Sequence, residues 1–174
     1  MSVTRLIAIE DAPVLAKLVQ ENRDFLAPWD PVRGEDYFTE AGQLTDIRSA
    51  LIQHRQGVKL PYVILGESGA LAGRINLNNI VRGAFQSGSL GYWVSATQNG
   101  RGLATAAVRD MVQLAFRELR LHRVEAGTLL HNVRSQRVLE RNGFVRYGVA
   151  PSYLKIAGRW QDHALYQLLN SGPS

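Results

Sequence analysis

The chain has 174 residues, 45% of them apolar, 20% charged and 8% aromatic, and it contains no cysteine. That length suits one compact domain whose core needs no staples, and the missing cysteine excludes a disulfide framework, a thiolate-held metal and a thiol nucleophile. Twenty basic side chains against 15 acidic ones give a net charge of +5, but residues 1–87 carry 9 basic and 10 acidic groups while residues 88–174 carry 11 and 5.

Seventeen of the basic residues are arginine, whose planar fork grips phosphate better than a lysine ammonium does. Such a field suggests an anionic partner: nucleic acid, a membrane surface or a phosphorylated small molecule. Glu10 and Asp11 interrupt the first apolar stretch, so no secretory leader is expected. No apolar run approaches the roughly 20 residues that span a bilayer. The chain reads as cytoplasmic, with no membrane partner and no metal site.

Alternation predicts a strand over residues 3–9, and Glu10 with Asp11 opens a helix whose stripe is Val14, Leu15, Leu18 and Val19. Residues 22–32, with two prolines and two aromatics, read as an ordered loop. A second helix is predicted over 40–56, striped by Leu44, Ile47, Leu51 and Ile52. Residues 62–65 and 71–81 form a hairpin about the turn 66–69, and 90–94 is a further strand. A glycine turn at 98–102 leads into the most regular helix, 103–119, whose buried face is Ala104, Ala107, Val108, Met111, Ala115 and Leu119. A strand over 123–128, a helix over 132–142 and closing strands over 144–156 and 164–169 complete an α+β fold with a mixed sheet.

The strand, glycine turn and long helix at 90–119 carry the first chemical signal. A helix start leaves backbone N–H groups without intrahelical partners at the positive end of the macrodipole. Gly100 and Gly102 keep side chains away from them, so the turn can cradle a pyrophosphate or serve only as a tight connection. It lacks the lysine and hydroxyl of a P-loop and the three-glycine spacing of a dinucleotide fold. Residues 131–144 carry the second signal. Asn132 is a good helix cap and Gly143 a good terminator, while Arg134, Arg137 and Arg141 share one face. That face is either solvated or an arginine lip beside the phosphates.

The runs LGYW, QNGRGLATAAV, LHRVEA and HNVRSQRVLERNGF, in this order and spacing, resemble the GNAT N-acetyltransferase superfamily over nearly the whole chain. Within it, ENRDFLAPWDPVR, NNIVRGAF and YLKIAGRWQDHALY are most similar to the ribosomal-protein-alanine N-acetyltransferases of the RimJ/RimL group. The resemblance implies a single domain over 1–174, with a mixed, mostly antiparallel sheet splayed between the strands near 90–95 and 123–128. It assigns acceptor-side helices to about 10–56, the acetyl-CoA core to about 62–145 and the closing strands to about 144–170.

The resemblance also implies which residues act. Asn99, Gly100, Arg101, Gly102, Leu103, Ala104 and Thr105 present amides to the pyrophosphate of acetyl-CoA, beside Arg137. Position 99 is Asn where the family pattern has Gln or Arg, so a backbone contact is expected there. Tyr92, Trp93, Val94 and Ser95 meet the pantetheine arm, and Asn132 bonds it. The Val94 N–H is the candidate oxyanion donor. Ser135 stands near the thioester sulfur, and because Leu139 occupies the position of the family's usual tyrosine, Ser135 is the hydroxyl left to protonate the thiolate. Glu125 is a candidate base or the ion-pair partner of Arg123. Asn22, Arg23, Phe25 and Trp29 are expected to hold the acceptor, with a core-plug role for the two aromatics left open.

An α-amine has a pKa near 7.7–8.0, so acetyl transfer to it needs no strong base. Without cysteine no acetyl-thiol enzyme forms, which favours direct transfer in a ternary complex. The implied partners are acetyl-CoA and a protein N-terminus, ribosomal in the group concerned, with ribosome association and a homodimer left open. Two other readings stand beside this one: a small-molecule amine acetyltransferase, and a ribosome- or RNA-binding module without catalysis. No RNA-reading motif supports the last.

Overall fold

The computed structural model describes residues 2–172. Seven strands form one sheet: β1 (Thr4–Leu6), β2 (Leu60–Leu65), β3 (Leu71–Val81), β4 (Ser87–Val94), β5 (Arg123–Leu129), β6 (Val145–Ile156) and β7 (Arg159–Leu169). Their order is β1-β2-β3-β4-β5-β7-β6, and only β4 and β5 run parallel. Five helices flank it: α1 (Ala12–Glu21), α2 (Arg23–Leu26), α3 (Glu40–Arg55), α4 (Leu103–Gln113) and α5 (Val133–Arg141). The expected α+β class and mixed, mostly antiparallel sheet are what the chain adopts.

Side-chain alternation gives the sheet two unlike faces. Ile75, Leu77, Leu90, Val94, Val124 and Ala126 point to the face covered by α4, where Ala107, Val108, Met111 and Leu139 complete the larger core. On the opposite face, α1 and α3 cover β2 with a smaller core of Ile7, Ala12, Leu15, Ile47 and Val63. These helices leave β4, β5 and the β6–β7 hairpin uncovered on their side.

The strands expected from residues 62 and 90 begin earlier, at Leu60 and Ser87, and four further differences each have a local reason. The first strand ends at Leu6, because the Asp11 carboxylate draws the next turn into a 3-10 coil (Ile9–Asp11). It accepts the Ala8 amide at 2.8 Å and both terminal nitrogens of Arg5 at 2.8 and 2.7 Å. The loop over 22–32 contains a helical turn, α2. The helix expected over 103–119 widens after Gln113 into a π turn, Leu114–Glu118, closed by the Leu119 amide on Leu114 O. The last strand begins at Arg159 instead of 164. Ala157 and Gly158, both at positive φ (49° and 81°), make a two-residue hairpin turn that matches the strand twist.

Candidate active site

β4 and β5 pair at four positions, from Ser87–Arg123 to Leu90–Ala126, and then part. β4 remains paired with β3 as far as Val94, so its other edge opens onto a gap. The Ser95 amide donates to Ala72 O at 2.8 Å, on the β3 side. Successive amides of a strand point to opposite sides, so the Val94 N–H is directed into the gap. Asn99 Nδ2 donates to Val94 O at 3.2 Å and to Ser95 O at 3.1 Å, pinning the turn. The side chain at 99 thus anchors backbone.

A cleft of about 530 Å³ occupies the gap, between Tyr92, Trp93 and Val94 on one wall and Asn132, Ser135 and Val138 on the other, with Phe25, Leu26 and Trp29 above. It shares Val94, Asn99, Ala104, Arg134 and Val138 with a second cavity of about 480 Å³. That second cavity is lined by Gly100, Gly102, Leu103, Thr105, Arg137 and Arg141. Together they make one elongated cleft, apolar at one end and arginine-rich at the other. Gly100 and Gly102 both sit at φ 78°, where an L side chain is strained, and open space lies where a Cβ would be. α4 starts at Leu103 with no side-chain cap, so its first amides face that space at the positive end of the dipole. An uncapped helix start, a glycine turn and three arginines suit a pyrophosphate. Arg101 is exposed and lines neither cavity.

Asn132 caps α5 by accepting the Ser135 amide at 3.2 Å, which fixes the first turn at the cleft edge. Ser135 Oγ then lies 2.8 Å from the Tyr92 hydroxyl, which is also 3.2 Å from Ser135 O. Burial pushes the Tyr92 hydroxyl up to about 12, so it keeps its proton at neutral pH and acts as a donor. When Tyr92 donates to Oγ, the Ser135 proton is free to point into the cleft. The sequence marked Tyr92 only for its backbone; its side-chain role depends on a partner 43 residues away, for which no local signal exists.

The expected acceptor residues divide. Phe25 and Trp29 line the cleft, and Trp29 packs on His131 with ring centroids 5.4 Å apart. Asn22 does not reach it: its Oδ1 accepts the Ala96 amide at 2.8 Å and its Nδ2 donates to Leu18 O at 2.8 Å, so it ties the end of α1 to the turn after β4. Arg23 turns away to pair with Glu35, with its guanidinium 4.3 Å over the Phe38 ring. Ser95 is buried, with its hydroxyl beside Thr97. Glu125 is not brought to the cleft either. The alternation of β5 puts it on the opposite face, where Arg123 lies 3.4 Å away and Tyr147 donates to it at 3.1 Å.

A bond between two distant segments crosses above this gap. The Ala157 amide, at the tip of the β6–β7 hairpin, donates to Asp30 O at 3.0 Å. The hairpin lies beyond β5 and the Asp30 loop descends from α2, so the bond spans the splayed strands. No group of His, Asp or Glu side chains that could hold a metal ion occurs among the described residues. No helix among them is long and apolar enough to cross a membrane.

Comparison with known proteins agrees with this geometry. The family model described as acetyltransferase (GNAT) domain matches residues 3–145. The chain is 38% identical over 167 residues to the probable N-acetyltransferase YjcK of Bacillus subtilis, covering 95% of this chain and 92% of that one. It is 35% identical over 167 residues to the ribosomal protein uS5-alanine N-acetyltransferase of Escherichia coli, covering 95% and 86%. Among solved structures, RimJ of Mycobacterium smegmatis in complex with CoA-disulfide superposes with a TM-score of 0.91 at 30% identity, over 95% of this chain and 80% of that one.

Proposed function

The chain belongs to the GNAT acetyltransferase family, and from that premise we propose that it acetylates the N-terminal α-amine of a ribosomal protein, alanine first, by direct transfer from acetyl-CoA. The observation that carries the reading is the continuous cleft through the β4–β5 splay. Its arginine-rich end meets a free helix start and its apolar end meets an aromatic-walled opening. Relatives that modify ribosomal-protein alanine support the acceptor. Such a substrate would meet the enzyme in the cytoplasm.

In this reading, the amides of Gly102 to Thr105 hold the pyrophosphate, and Arg134, Arg137 and Arg141 neutralise the phosphates. The Val94 N–H donates to the carbonyl oxygen as it gains charge in the tetrahedral stage. A new C–N bond forms and the C–S bond breaks. The amine's proton leaves to water, which passes it to Ser135 Oγ as that hydroxyl gives its own proton to the departing sulfur, so the serine ends the step neutral. Tyr92 holds Ser135 in the rotamer that makes this transfer. Part of an α-amine population is already neutral near pH 7, so the cleft needs no strong base, in keeping with the absence of Glu125 from it.

The test is thiol release from acetyl-CoA against a panel of peptides beginning with alanine, serine and other residues, set beside small amines. Turnover of alanine-started peptides supports the reading. Turnover of a small amine with none on any peptide overturns it.

A further inference from the structure

On the α1/α3 face, the part of β4 beyond those helices presents Trp93, Gly91 and Ser89, in that order away from the cleft, and ends at the buried Ser87. Gly91 has only the Asn78 side-chain nitrogen near where a Cβ would be, at 3.8 Å, and Gly127, the first β5 residue past the last pair with β4, is exposed, with Tyr153 and His163 bordering it. The floor running away from the splay therefore has no side chain of its own at these two positions. It ends at a separate cavity of about 180 Å³ whose lining includes Phe85, Ser87, Glu125, Tyr147 and Tyr153.

Two features mark that cavity as built for a ligand. Ser87, in the cavity wall, is 1% exposed, and its Oγ has no hydrogen-bond partner among the described residues, an orphaned buried hydroxyl of the kind found beside functional sites. Arg123 and Tyr147 both engage Glu125 Oε1. Among the described residues the second oxygen, Oε2, accepts nothing, and Phe85, Tyr147 and Tyr153 line the same cavity as Glu125. A cavity that holds both a carboxylate and aromatic side chains suits a cation with an apolar stem.

We propose that this cavity is a specificity subsite for a lysine or arginine side chain of the acceptor peptide, with Glu125 as its charged partner. The proposal rests on the reading of the acceptor as a protein N-terminus. At about 3.4 Å per residue, the distance along β4 from Val94 to Ser89–Ser87 is about 17–24 Å, which an extended peptide covers with its fifth to seventh residues. Glu125 then chooses among acceptors and takes no part in proton transfer. Arg123, which shares its Oε1, limits the gain to a modest factor.

The experiment uses the full chain and alanine-started peptides with a neutral background, in which one lysine is moved from position 3 to position 9 and norleucine serves as the uncharged control. Lysine at positions 5–7 is expected to raise kcat/KM about fivefold over norleucine, through KM, as suits a partly exposed ion pair. Glu125→Gln brings that ratio to about one, and Tyr153→Leu lowers it. Equal kcat/KM at every position overturns the proposal. So does a Glu125→Gln enzyme that loses kcat on both peptides alike while keeping the ratio, since that outcome makes Glu125 the base. Turnover of the norleucine peptide reports on the acceptor class separately, so loss of the lysine preference alone leaves that reading standing.

Discussion

The hydroxyls of Tyr92 and Ser135 lie 2.8 Å apart, joining the free edge of β4 to the first turn of α5 across the mouth of the splay. Ser135→Ala is expected to lower kcat more than tenfold with acetyl-CoA affinity nearly unchanged. Tyr92→Phe keeps the ring and loses the donor, so its kcat falls by roughly three- to tenfold. Because the two residues act as one unit, the double variant should be no slower than Ser135→Ala alone. Steady-state kinetics with calorimetric binding of acetyl-CoA distinguish this from additive losses, which would separate their roles. Since the Tyr92 hydroxyl is pushed up to about 12, kcat should show no falling limb from it up to pH 10.

The arginine end of the cleft makes a separate prediction. Arg137→Gln and Arg141→Gln should each raise KM for acetyl-CoA about fivefold, leave kcat unchanged and flatten its dependence on salt. Gly102→Ala strains a backbone at φ 78° and puts a methyl over the helix start. It should raise the same KM by about tenfold, at a stability cost of about 1 kcal/mol. Unchanged KM values would remove the phosphates from this cavity.

Asn22 gives a stability prediction in place of a binding one. It is 6% exposed and bonds at both ends of its amide, so Asn22→Ala leaves the Ala96 N–H without a partner. A loss of about 2 kcal/mol is expected in denaturant unfolding. A variant as stable as the parent, with KM raised for the acceptor alone, would return Asn22 to the acceptor site.

The Asp11 carboxyl ties down the chain between β1 and α1. Burial opposes its charge, but the Arg5 guanidinium and the Ala8 amide more than offset that and hold it below the usual carboxylate range. A native pKa below the unfolded one means the unfolded chain takes up the proton first. The stabilisation is therefore complete above about pH 4 and lost as pH falls through the native value. Asp11→Asn should cost about 1–2 kcal/mol at pH 7, with Arg5 partly exposed, and much less at pH 2–3. A difference independent of pH would show that the charge contributes nothing.

Local pattern disclosed most of the fold and one end of the site. The apolar stripe from Ala104 to Ala115 and the glycines at 100 and 102 are short-range signals, and each is where the sequence implies. The π turn after Gln113 was hidden because its residues keep helical spacing while only the bond pattern changes. The hairpin turn at Ala157–Gly158 was legible in principle, as a small residue before glycine between strand-forming runs. Side-chain destinations were not. Asn22 and Arg23 are polar residues in the right neighbourhood, and each is claimed by a partner that only the tertiary arrangement supplies, Ala96 and Glu35, while Glu125 takes the pairing with Arg123 that the sequence offers as the alternative to a base. Tyr92 was undervalued for the same reason, since its partner lies on another element.

The bond from Ala157 to Asp30 turns the opening above the splayed strands from a jaw into a hoop: loop, hairpin and sheet form an unbroken circuit. A polypeptide segment anchored at both ends cannot be passed through a hoop, whatever its sequence, whereas a loose end can be threaded. If the proposed acceptor class holds, topology would exclude interior loops of folded proteins before any contact is read and admit only a free chain end.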